Sequence, residues 1–105
     1  MAWKDLTPQQ VQQALKDVAE LKILDVRSPA EHDQHHMTGA TLIPMQEIPT
    51  RMQELDPSAA YLIYCEHGVR SHQVCDFLTA NGFADLRALQ GGLANWMESG
   101  LPVES

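Results

Sequence analysis

Four short apolar runs set the terms for this chain. "LKILDVR" (21–27), "ATLIPM" (40–45), "AYLIYC" (60–65) and "LRAL" (86–89) are of strand length, and the first three end in charge, at a proline or at a cysteine. Short runs with so little polar alternation suit strands covered on both faces, as in a parallel sheet. Helical patterns stand between them. "LTPQQVQQALKDV" carries Thr7 as a cap, Pro8 at the first helical position and Gln10 closing a capping box, with Val11, Ala14, Leu15 and Val18 at helical spacing. This predicts a helix from about residue 8 to about residue 18. "EIPTRMQELD" places Ile48, Met52 and Leu55 on one helical face. "SHQVCDFLTANG" opens a further helix at Ser71, with Val74, Cys75, Phe77 and Leu78 inward and a stop at Gly82, and "GLANWMESG" reads as the last helix. Strands and helices alternating at such short intervals require crossover connections, hence a mainly parallel α/β sheet covered on both faces. Ligands in such sheets gather beyond the carboxyl ends of the strands, which puts Cys65 and Arg27 on one functional rim.

Composition narrows the partners. The 105 residues, 44% hydrophobic and 20% charged, suit a single domain spanning 1–105 with one modest core. Seven Lys+Arg against fourteen Asp+Glu give a net charge of -7, which repels phosphate backbones and anionic lipid, so neither nucleic acid nor a membrane is an expected partner. "MAWKDLTPQQ" lacks the apolar core of a signal peptide and no run approaches membrane-spanning length, so a cytoplasmic protein is expected. Cys65 and Cys75 lie too far apart for a C-x-x-C motif and are expected as free thiols.

The chemistry concentrates in "YLIYCEHGVRS" (61–71). Between strand end and helix start stand Cys65, Glu66, His67, Gly68, Val69 and Arg70. A loop this short must curl, and Gly68 can take the positive φ that curling needs. Its backbone N–H groups then point inward and, with the helix N-terminus behind them, form an anion-binding concavity that favours the nucleophilic thiolate. Arg70 adds a fixed positive charge if its side chain turns inward. A lone cysteine is more often a small buried hydrophobe. Strand end, glycine, arginine and helix start in succession point instead to a reactive thiol.

The chain resembles the rhodanese-like sulfurtransferases in their single-domain form. "ILDVRSPAEH" is similar to the family's strand, Asp-Val-Arg and Pro-x-Glu turn, and "HMTGATLIP" to its His-x-x-Gly-Ala segment leading to Ile-Pro. "YCEHGVRS" resembles its active loop, and "LQGGLANWMESGLP" its Gly-Gly, Trp, Gly-x-Pro ending. The resemblance implies a three-layer fold, with a mainly parallel sheet of about five short strands and helices on both faces. It implies that Cys65 takes up a sulfane sulfur as a persulfide and passes it on. Substrate would then be held by Glu66, His67, Gly68, Val69 and Arg70, with no metal or organic cofactor. The partners so implied are a small sulfane-sulfur donor, such as thiosulfate or a persulfide, and a thiol or cyanide acceptor, with a protein persulfide as another candidate. Tyrosine phosphatases and some arsenate reductases use a related loop with one residue more between Cys and Arg; the four residues between Cys65 and Arg70 favour a single sulfur atom over a phosphoryl group. Two other readings stand beside the enzyme: a protein-to-protein sulfur-relay or sensing module, and an inactive binding domain, which the intact Cys65 and Arg70 argue against.

Other residues admit two readings each. Glu66 follows the cysteine where many thiosulfate-using relatives have a basic or neutral residue, so it is expected to repel a dianion. His32, His35 and His36 with Glu31 have helical metal-ligand spacing, but the resemblance makes His36 a structural histidine and leaves His32 and His35 exposed. His67 faces either the loop mouth or solvent. Cys75 is expected as core filler rather than a resolving thiol. Asp25, Arg27 and Glu31 are expected to form an ion-paired turn that fixes loop positions, Gly91 and Gly92 to allow close backbone packing, and Trp96 to anchor the last helix.

Overall fold

A computed structural model describes residues 2–105. Its elements run β1 (Lys4–Leu6), α1 (Pro8–Asp17), β2 (Lys22–Asp25), α2 (Pro29–Gln34), β3 (Ala40–Leu42), α3 (Ile48–Arg51), β4 (Tyr61–Tyr64), α4 (Val69–Ala80), β5 (Leu86–Leu89) and α5 (Gly92–Glu98). The five strands form one sheet in the order β1-β5-β4-β2-β3, and every neighbouring pair is parallel. The expected α/β layering is present, and the sheet is wholly rather than mainly parallel.

β4 is central, and all four of its residues are buried. Its side chains alternate between two apolar clusters as a strand's must. Tyr61, Ile63 and Cys65 join Leu24, Val26, Val74, Cys75 and Leu78 on one face. Leu62 and Tyr64 join Val11, Leu89, Leu93 and Trp96 on the other. The apolar run that marks this strand thus also decides that the Cys65 side chain faces α4.

Two of the three helices with a Pro in the first turn, α1 and α2, carry a complete capping box. Thr7 and Gln10 satisfy each other's backbone N–H at the start of α1, as the sequence predicts. Ser28 and Glu31 do the same for α2. α2 is absent from the helices that the sequence predicts, yet "SPAE" repeats the logic of "TPQQ" and was the available signal.

One strand is added and three other expectations are corrected. β1 had no apolar run to announce it: "KDL" is an edge strand held by its register with β5, Leu6 opposite Leu89. The helix over 47–56 is instead a 3-10 turn (Met45–Glu47), a single α turn and a second 3-10 turn (Met52–Glu54), broken where Pro49 enters, although Ile48 is buried as expected. α4 begins at Val69, two residues before the expected Ser71, because Gly68 takes φ +101° and serves as its cap. Phe77 is not inward but 37% exposed; Val74, Cys75 and Leu78 form the buried stripe.

Candidate active site

Cys65 follows directly on β4 and is 1% exposed, with its sulfur turned into the loop after it. The Gly68 N–H donates to Sγ at 3.1 Å and the Ser71 N–H at 3.3 Å. The Ser71 hydroxyl oxygen lies 3.5 Å from Sγ and donates to the Gly68 carbonyl. These amides belong to the cap and first turn of α4, where N–H groups have no helical partner and carry partial positive charge. A sulfur bearing negative charge is therefore met by oriented dipoles that need no rearrangement to receive it. Ser71, read only as a helix start, was missed as a donor to the sulfur.

The outer side of the loop is clasped by α5. The Leu93 N–H donates to the Cys65 carbonyl at 2.8 Å and the Ala94 N–H to the Glu66 carbonyl at 3.1 Å. These bonds tie the first two peptides of the loop to α5, while the Gly68 and Ser71 amides beyond them reach the sulfur. Gly92 makes the approach possible: a Cβ there would sit 2.3 Å from the Glu66 oxygen and 2.6 Å from the Cys65 oxygen. The paired glycines marked the close approach, but nothing in the sequence singled out Leu93 and Ala94.

Charged side chains brace the loop from below. Asp25 and Arg27 are 0% and 2% exposed. Arg27 donates through Nε and Nη2 to the two Asp25 carboxylate oxygens, through Nη2 to the His35 carbonyl and through Nη1 to Glu66 Oε1 at 3.0 Å, and its guanidinium lies 5.4 Å from the Tyr64 ring centre. Burial works against the Asp25 charge, but the Arg27 donors and His32 outweigh it, and the carboxyl sits below its usual range. Burial and the Asp25 charge push the Tyr64 phenol above its own range, so it remains a donor to Asp25 while accepting from the Met37 N–H. His32 is not exposed: it is half-buried, with Nδ1 3.0 Å from Asp25 and its ring stacked on His36 at 4.1 Å. His36 Nδ1 donates to the His32 carbonyl, and its backbone pairs with Glu104. His35 is exposed. Among the described residues no three His, Cys, Asp or Glu side chains converge as metal ligands.

Arg70 does not turn toward the sulfur to hydrogen-bond it. Both its terminal nitrogens are held by Glu31, at 2.8 and 2.9 Å. That pairing, with help from Ser28, holds the Glu31 carboxyl at about 2. Glu66 is half-buried against Arg27, His67 is exposed, and Val69 is 68% exposed at the loop's edge. Cys75 is fully buried; burial, then the charges of Asp76 and Asp5, push its thiol up to about 12. It packs in the apolar cluster on the α4 side of the sheet.

A recess of about 150 Å³ opens beside the loop between Glu66, Arg27, Glu31, His35, Leu93 and Met97. A larger hollow of about 590 Å³ lies at the amino ends of β2 and β4, at the opposite edge of the sheet from Cys65.

The same arrangement of chain is found in known proteins. The rhodanese-like domain model matches residues 7–99. A sulfurtransferase of Allochromatium vinosum is 34% identical over 99 residues, which make up 94% of this chain and 92% of that one. The thiosulfate sulfurtransferase GlpE of Haemophilus influenzae is 28% identical across 100% of this chain and 98% of its own. The crystal structure of a rhodanese-related protein from Thermoplasma volcanium matches 96% of this chain and 97% of its own with a TM-score of 0.87, at 27% identity. Sequence and fold agree over nearly the full length, and the chain belongs to the family of rhodanese-like domains.

Proposed function

We propose that this protein is a sulfurtransferase that carries a sulfane sulfur as a persulfide on Cys65. The observation that supports this reading most directly is the position of Sγ, 3.1 and 3.3 Å from two amides at the start of α4. The Cys65 thiolate attacks the outer sulfur of a donor, either thiosulfate or a persulfide. A new S–S bond forms, the donor's own S–S bond breaks, and its electron pair leaves with sulfite or a thiolate. Cyanide or a thiolate acceptor then attacks the outer sulfur, and the electron pair of the broken bond returns to Cys65. No general base is needed once the thiol is ionised, and no net oxidation occurs. Glu66, His67, Gly68, Val69 and Arg70 frame the mouth through which donor and acceptor pass. The protein works in a reducing compartment such as the cytoplasm, where both cysteines stay free.

Intact mass after incubation with a sulfane donor tests this. The expected product is one added sulfur on the wild type, removed by cyanide, absent from Cys65→Ser and retained in Cys75→Ser. Labelling that survives in Cys65→Ser and disappears in Cys75→Ser overturns the assignment. A second reading, transfer between proteins, draws on the exposure of Val69 and His67 at the loop's edge, which offers a partner an apolar and a polar contact beside the sulfur. Faster loading from a protein persulfide than from thiosulfate would favour it.

A further inference from the structure

The sequence contains seven lysines and arginines, and their placement bears on what the sulfur can be attached to. Lys4 and Lys22 begin β1 and β2, at the amino edge of the sheet, and Lys16 lies in the last turn of α1. Arg51 is held by Glu47 and Glu54, and Arg87 by Asp85. Arg27 and Arg70 are left at the carboxyl rim, and each is already matched by carboxylate: Arg27 by Asp25 and Glu66, Arg70 by Glu31. Two positive and three negative side chains leave the rim with one surplus negative charge. Glu66 uses Oε1 for Arg27 and lines the recess beside the loop. The apolar residues that line the same recess are Leu93, 1% exposed at its floor, and Met97, 38% exposed.

Resting on the sulfur-transfer reading, we propose that Glu66 determines specificity and that the recess is the subsite for the body of an organic thiol or persulfide, with a short apolar stem and a positively charged or neutral head, in preference to an inorganic dianion. The loop amides receive the sulfur; the recess receives what carries it. Met97 covers the stem. Glu66 attracts an ammonium head and occupies Arg27, the buried cation that would otherwise be available to a sulfonate or carboxylate.

Three small acceptor thiols of graded charge test this on the full chain: cysteamine, 2-mercaptoethanol and mercaptoacetate. Each is assayed for discharge of the Cys65 persulfide at pH 8, where imidazoles in general carry no charge. Rates are divided by each thiol's rate with a small-molecule persulfide, to remove differences in intrinsic reactivity. Wild type is expected to prefer cysteamine over mercaptoacetate by about tenfold or more, the scale of one unscreened charge at close range. Glu66→Gln is expected to shrink that ratio to about threefold or less and to raise loading from thiosulfate relative to loading from cysteamine persulfide. Met97→Lys, an exposed change outside the loop, is expected to move the ratio toward mercaptoacetate even if Glu66→Gln folds poorly. Charge ratios near one in the wild type, or ratios unmoved by either variant, overturn the subsite while leaving persulfide chemistry intact. Failure of every donor to place sulfur on Cys65 instead sinks the transfer reading, and this one with it.

Discussion

Two glycines near the sulfur do different work, and their substitutions separate strain from collision. At Gly68 an added Cβ would meet nothing nearer than 3.5 Å, so Gly68→Ala suffers only from its φ of +101°. The expected loss is about 1–2 kcal/mol. At Gly92 the φ of +67° combines with a Cβ 2.3 Å from a backbone oxygen. The loop itself has to move, and Gly92→Ala is expected to lose about 3 kcal/mol or more, with sulfur loading down about 100-fold if the folded form persists. Urea denaturation and the rate of persulfide formation check both; equal costs at the two positions would show that the collision with the loop does not matter. Cys65 and Gly68 were legible in the sequence because a thiol and a glycine between strand and helix admit few chemical uses. The side chains that brace them were only half legible. Arg27 meets Glu66, and Arg70 meets Glu31, across 39 residues of chain in each case, so the carboxylate each guanidinium finds is settled by tertiary packing rather than by local spacing.

At the scale of elements, the Glu31–Arg70 pair ties α2 to the start of α4, so the loop between β4 and α4 is anchored on a neighbouring helix as well as on α5. Glu31 titrates near 2 in the folded protein against an ordinary 4.5. A depressed carboxyl contributes stability that is complete above its unfolded value and disappears as the pH falls through its folded value. Wild type should therefore lose this contribution between about pH 4.5 and pH 2. Arg70→Gln should lose less over the same interval, because its Glu31 titrates nearer to normal. The difference is expected to be about 1 kcal/mol, since the pair is bidentate but a third exposed and screened. Urea midpoints at several pH values in that window read it; parallel pH profiles would mean that the pair contributes nothing. The helices that declared themselves did so through caps, as at Thr7 and Gln10. α3 misled because a helical spacing of Ile48, Met52 and Leu55 is equally compatible with three tight turns in succession.

For the molecule as a whole, four strand-like runs sufficed to infer a parallel sheet covered on both faces, since only burial on both sides tolerates strands with so little polar alternation. The fifth, "KDL", was illegible because it draws its stability from β5 rather than from its own apolar content. Net charge acts at the same scale. A surplus of seven negative charges opposes the approach of thiosulfate from a distance, whatever the local field at the loop. Raising salt from about 20 to about 200 mM is expected to speed loading from thiosulfate about two- to threefold and to slow loading from cysteamine persulfide. Stopped-time mass measurements at low donor concentration read both, and thiosulfate loading slowed by salt would show that the local dipoles outweigh the overall charge.

During synthesis the amides of Leu93 and Ala94 leave the ribosome well after Cys65 does, although they hold that residue's carbonyl and the next one in place. A chain made only through α4 therefore has the Gly68 and Ser71 amides that meet the sulfur but lacks the two that hold those carbonyls, so the loop is pinned on its far side only once α5 has docked.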